Sequence, residues 1–164
     1  MITLLGFARH IMFRSGIHIK IFIIFCLAVL AVTGFARAAD FVSMAESMAI
    51  LYDAPSLMAK KLYVINRYTP LEQVVTLDNW VKVRDISGGL AWVEKRSLSH
   101  KRFVVVVTPL AAIRQSPEDK AAVITQVKQQ VALEWMEDTG SGWLKVHHLD
   151  GATGYIKSTE VWGD

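Results

Sequence analysis

The chain has 164 residues, 52% of them apolar, which allows one domain or two small ones. Its formal charge of +3 is unevenly placed: Arg9, Arg14, Lys20 and Arg37 lie in the first 38 residues, where there is no acid, leaving 14 basic against 15 acidic residues beyond. That remainder carries a net −1, which excludes the basic footprint of a nucleic-acid-binding domain.

The first segment has the layout of a secretory signal peptide. A positive start is followed by the apolar run "IFIIFCLAVLAVT" at 21–33, and then by "GFARAAD", where Ala36 and Ala38 give the small-x-small spacing that a signal peptidase needs. The expected cut lies between Ala38 and Ala39, after either Met1 or Met12 as the start. An uncleaved anchor is the alternative, although a spanning helix needs about 20 apolar residues; in that case alone the segment would tie the protein to a membrane. The single cysteine, Cys26, lies inside the run. The exported part therefore has no disulfide framework and depends on core burial.

Beyond the leader, short strands alternate with turn signals. Strands are expected at 48–52, 62–65, 71–77, 80–85 and 90–94, with turns at "DAPS", "DN" and "SGG". "FVVVV" at 103–107 reads as a buried joining strand, and further strands are expected at 111–114, 123–127, 131–137, 143–147 and 153–156. The two halves repeat. Pro55 recurs as Pro117 and Leu71-Glu72 as Leu133-Glu134, 62 positions on. From Trp80 onward the offset is 63, giving Trp143, Lys145 and Val146 as partners of Trp80, Lys82 and Val83. Two copies at this period describe two small domains rather than a solenoid. Alternation in "WVKVRD" and "WLKVHH" turns Val81, Val83, Leu144 and Val146 inward and Trp80, Lys82, Trp143 and Lys145 outward. Five such strands close most economically into a small barrel.

The ordered set of Tyr52 or Arg114 ahead of a proline, then Leu-Glu, then Trp-x-Lys-Val, then a glycine-bearing turn before Trp92 or Tyr155 resembles the bacterial SH3-like (SH3b) domain, twice over. The resemblance implies an all-β protein of two tandem SH3-like barrels at 39–102 and 103–164, after a signal peptide at 1–38. It also implies an exported, non-catalytic module without a cofactor, in the periplasm or cell envelope, bound to cell-wall glycan, stem peptide or an envelope protein. The first copy departs from the pattern, with Tyr52 where arginine is usual and Ala91 in place of a glycine.

No catalytic constellation stands out. There is no G-x-S-x-G elbow, and the carboxylates are scattered. His147 and His148 are adjacent on a strand and so point to opposite faces, which argues against a shared metal ion. Aromatic residues are the better ligand candidates, as stacking platforms beside cations. Alternatively, Trp80 packs on Trp92 and Trp143 on Tyr155 as cross-strand pairs. Tyr52, Tyr68 and Trp135 are further groove candidates, Trp162 is expected to wrap the chain end onto the second barrel, and "EKR" and "HKR" read as a solvated linker, with an anionic ligand site as the alternative. The ligand is expected mainly on the second copy, across Trp135, Trp143 and Lys145, because that copy keeps Arg114, Gly151 and Gly154 and the longer loop at 138–142. An adaptor for an extended peptide and an unrecognised hydrolase are the competing functions.

Overall fold

A computed structural model describes residues 39–164. The leader expectation, apart from Ala39 on the far side of the cut, falls outside the described residues. Among them, no helix is long and apolar enough to cross a membrane.

The chain forms two seven-stranded antiparallel sheets. The first contains β1 (Phe41–Met44), β2 (Met48–Tyr52), β3 (Lys61–Asn66), β4 (Pro70–Thr76), β5 (Trp80–Arg84), β6 (Leu90–Glu94) and β7 (Leu98–Ser99). The second contains β8 (Phe103–Val106), β9 (Leu110–Arg114), β10 (Val123–Lys128), β11 (Ala132–Asp138), β12 (Trp143–His147), β13 (Thr153–Lys157) and β14 (Val161–Trp162). A single 3-10 turn, Lys95–Ser97 or Ser158–Glu160, precedes the last strand of each. The spatial orders, β3-β2-β6-β5-β4-β1-β7 and β10-β9-β13-β12-β11-β8-β14, are the same topology written twice.

Each barrel thus has two strands more than the five expected. β8 is not a joiner but the first strand of its own sheet, pairing with β11 and β14. Its counterpart β1 pairs with β4 and β7 in the same way. The repeat extends to local irregularities. Both sheets carry a register shift at the same place, after Gln73 and after Trp135. Both β3–β4 and β10–β11 turns hold a left-handed residue, Tyr68 (φ 67°) and Gln130 (φ 68°). Such φ values strain non-glycine residues. Here each turn is held by a backbone bond, from Tyr68 N to Met44 O and from Gln130 N to Val106 O.

The inward residues build one core per barrel. Val81, Val83, Leu144 and Val146 are at most 1% exposed, as alternation requires. Burying side chains of this size contributes about 1.5–3 kcal/mol each. Gly154 is the most closely hemmed of the described glycines, since a methyl there would overlap the Arg114 carbonyl oxygen and stand 2.8 Å from Ile113 Cγ2 and Ile124 Cδ1.

The barrels lie within one compact unit, Ala39–Asp164, and interlock. Phe41 meets Trp162 edge-on at 5.1 Å, and Tyr68 stacks on Phe103 at 4.5 Å. Ser43 Oγ donates to Lys101 O, and Arg102 Nη2 donates to Gly163 O. Within "HKR", Lys101 is solvent-exposed, as a solvated linker requires, and pairs with Glu134 at 2.7 Å, whereas Arg102 is partly buried. Trp162 strands with the second barrel but lays its ring on the first.

In the first barrel, Tyr63 Oη donates to Asp85 Oδ2 (2.5 Å) and ties β3 to the β5–β6 hairpin. Burial, then the Asp85 bond and charge, push the Tyr63 phenol up to about 12. Burial also raises Asp85, but hydrogen bonds from Ser87, Tyr63 and Gly89 outweigh it and hold the carboxyl below its ordinary value.

Two outcomes follow from this packing. Gly154→Ala should destabilise the protein by about 1–3 kcal/mol through overpacking against backbone, measured by urea denaturation; an unchanged midpoint would contradict the close crossing. Tyr63, with its pKa raised on folding, contributes stability that is complete below its unfolded pKa and lost as pH rises through about 12. Asp85, with its pKa lowered, contributes stability that is lost as pH falls through its folded value. Tyr63→Phe should flatten the alkaline limb of a denaturation-midpoint profile, and Asp85→Asn the acid limb.

Candidate functional site

In the first barrel, the β2–β3 loop (residues 53–60) is pinned at its base. Asp53 and Lys60 bond through their backbones, and Asp53 Oδ1 accepts from Lys60 N at 3.0 Å. Ser56 Oγ accepts from Met58 N (3.1 Å) and shapes the tip. The pinning holds Leu57 and Met58 outward, 58% and 93% exposed. Across from them, β5 presents Trp80, and the end of β6 presents Glu94, Lys95 and Arg96. Together these walls enclose a cleft of about 570 Å³. Trp80 is half-buried, its ring meeting Tyr52 edge-on at 5.4 Å. Tyr52 is 6% exposed, so it fixes the indole from beneath rather than facing a ligand. Arg96 pairs with Glu94 at 3.0 Å, a largely exposed contact that a charged ligand can replace.

The same place in the second barrel is occupied by its own side chains. Trp143 is only 8% exposed. Lys157, where the first copy has Glu94, sits over the Trp143 ring at 5.6 Å and pairs with Asp119 at 2.5 Å. Asp119 stands where the first copy has Leu57, and the Lys157 hydrogen bond and charge lower its carboxyl pKa. Arg114 Nη1 donates to Ala121 O (2.7 Å), inside its own loop. A cation and an ion pair thus lie across the second tryptophan.

The structure does not bring Trp135, Trp143 and Lys145 onto one face. Trp135 is directly opposite Val146, on the core side, and packs against the second core. Arg102 lies over its ring at 4.3 Å. Lys145, on the other side of β12, is opposite Tyr155 and Glu137. The cross-strand aromatic pairs are also displaced by register. Trp80 is opposite Glu94 and Trp92 opposite Lys82, while Trp143 is opposite Lys157. Tyr68 belongs to the contact between barrels. Gly151 (φ 107°) shapes the β12–β13 turn, whereas Gly154 lies within β13. In the loop at 138–142, Thr139 Oγ1 bonds the Trp143 carbonyl. His147 bonds Thr153, and His148 bonds Asp150. Among the described residues, no three His, Cys, Asp or Glu side chains form a metal-ligand set.

Leu57 and Met58 did not figure in the sequence as site residues, and Lys95 and Arg96 figured only in the anionic-site alternative for "EKR". The signal for Leu57 and Met58 was a difference between copies: "SLMAK" carries two large apolar residues in a loop where "EDKAA" carries charge.

The family model described as the bacterial SH3 domain matches the chain twice, at residues 45–100 and 107–163. No curated protein matches. Among solved structures, similarity is found to NlpC2 from Trichomonas vaginalis (15% identity, TM-score 0.36, covering 78% of this chain and 49% of that one). NlpC1 from the same organism gives 13% identity and a TM-score of 0.37, covering 80% and 48%. An NlpC/P60 family protein from Bacillus cereus ATCC 10987 gives 15% and 0.35, covering 74% and 55%. This chain spans about half the length of those structures.

Lys157→Ala should uncover Trp143, seen by NMR as faster solvent exchange of its indole Nε1 proton with the barrel otherwise unchanged. Unaltered exchange would show that Lys157 does not cover the ring.

Proposed function

Since the chain belongs to the bacterial SH3 domain family, we propose that it is an exported, non-catalytic binding module that takes cell-wall glycan or stem peptide in the cell envelope through the cleft of its first barrel. The observation that carries this reading is the asymmetry between two copies of one fold. The cleft over Trp80 is open, and its counterpart over Trp143 is covered by Lys157. Trp80 offers a stacking face for a sugar ring or an apolar peptide side chain. Leu57 and Met58 can close over such a group, and Lys95 and Arg96 can meet a carboxylate beside it. Export rests on the leader, with cleavage before Ala39 releasing the barrels. The exposed Leu57 and Met58 also favour a second reading, an adaptor that grips an extended envelope peptide in the same cleft.

Sedimentation with purified peptidoglycan sacculi, with soluble envelope proteins as competitor, tests the proposal. Trp80→Ala should weaken retention about fivefold, the equivalent of about 1 kcal/mol from one aromatic platform, with an unchanged circular dichroism spectrum. Trp143→Ala should leave retention of the folded protein unchanged. Retention that follows Trp143, or none at all, would overturn the assignment; loss of retention to the protein competitor would favour the adaptor.

A further inference from the structure

We propose that the mouth of the first barrel is a second binding site, separate from the Trp80 cleft, for one small aromatic group bearing a carboxylate. A cavity of about 240 Å³ opens there between β1, β4, β5 and β7. Its floor is core, formed by Val42 and Val81 with Leu98 beside them, and Val42 and Val81 are themselves 2% and 1% exposed. Gln73, Lys95 and His100 stand among the polar groups of its wall.

The second barrel shows what fits. Gln73 and Trp135 are equivalent by three independent registers. Gln73 is opposite Val83 as Trp135 is opposite Val146, both precede the register shift, and both accept a neighbouring strand through the residue before them (Glu72 with Phe41, Glu134 with Phe103). Their amides even make the same bond, to Asp40 O and to Arg102 O. In the second barrel the indole of Trp135 packs against the core containing Val104, Leu144 and Val161, the counterparts of Val42, Val81 and Leu98. Gln73 has no ring to put there, and its amide lies 3.5 Å from Asp40 Oδ2. One copy supplies its own aromatic plug, and the other leaves the matching socket open.

Size and charge narrow the occupant. The volume is below the roughly 300–1,000 Å³ of pockets that hold drug-sized ligands, so it admits a single ring system. The apolar floor takes the ring. Lys95 supplies a cation at the wall, and His100, Gln73, Thr76 and Ser99 offer donors, with no carboxylate among the lining side chains. A carboxylate on a short arm satisfies both halves, through charge-assisted hydrogen bonds at the rim. Because Trp80 and Val81 are successive residues facing opposite sides of β5, the two openings are distinct, and only Lys95 borders both.

The probe is indole-3-acetate, titrated into the purified full chain and followed by methyl NMR, with uncharged indole as the comparison. Saturable shifts are expected at Val42, Val81 and Leu98 and not at Val104 or Leu144, with indole-3-acetate binding several-fold tighter than indole. Gln73→Trp should plug the socket and weaken binding at least tenfold. Shifts confined to the Trp80 cleft or to the second barrel, absence of saturation, or equal binding by the folded Gln73→Trp variant would each overturn the proposal. Should that variant fail to fold, the methyl shifts of the parent protein decide alone.

Discussion

The period-two alternation of β5 and β12 is the constraint on which both barrels depend. β5 and β12 each send a pair of aliphatic side chains inward, Val81 with Val83 and Leu144 with Val146, and neither pair tolerates a slip. A shift of one residue would exchange the whole inner set for Trp, Lys and Arg or His. The register shifts after Gln73 and Trp135 and the left-handed turns at Tyr68 and Gln130 are preserved alongside it. They set how β4 and β11 bend around β5 and β12, so the duplicated scaffold is retained in its irregularities as well as in its core.

The copies diverge at outward side chains around the cleft and at a few inward positions, Gln73 against Trp135 and Ala91 against Gly154. Leu57 against Asp119, and Glu94 against Lys157, decide whether the cleft beside the tryptophan is open or covered. Tyr52 against Arg114 decides what meets that region from below: in the first copy a buried aromatic edge, in the second a guanidinium turned to Ala121 O. Ala91 against Gly154 is a packing difference. The second barrel brings β13 onto β9 so closely that a methyl has no room, while Ala91 is accepted at 2% exposure. None of these exchanges alters strand order.

The alternation, the offsets of 62 and 63 and most strand positions were legible in the sequence, since β2, β6 and β12 coincide with their expected spans and β5 ends one residue short of its own. β1 was not, because "FVSM" is four residues long beside the end of the leader and shows its role only as the equivalent of "FVVV". β7 and β14, two residues each, carry no periodicity to detect. The site was less legible than the fold. Alternation places Trp143 on the outer face correctly, yet an outer residue can still be covered, and its cover comes from Lys157 opposite and Asp119 in a distant loop. Trp135 was placed with Trp143 because both are aromatic; its inward direction depends on register with Val146. The charges of "HKR" gave no hint that Lys101 pairs with Glu134 or that Arg102 donates to the Gly163 carbonyl.

That junction bears on how two unequal barrels work as one protein. Arg102 occupies the last position before β8, lies over Trp135 at 4.3 Å and donates to the Gly163 carbonyl. Gly163, in turn, has no room for a side chain against Pro70 of the first barrel. The aromatic plug of the second barrel is therefore built into the same contact that fixes the pair, which explains why the second copy spends a tryptophan there. The first copy has Asp40 and Gln73 at those positions, and a junction already secured by its partner releases them from that task. Duplication thus leaves a second barrel whose aromatic plug is tied to the junction and a first barrel with open surfaces at the equivalent positions.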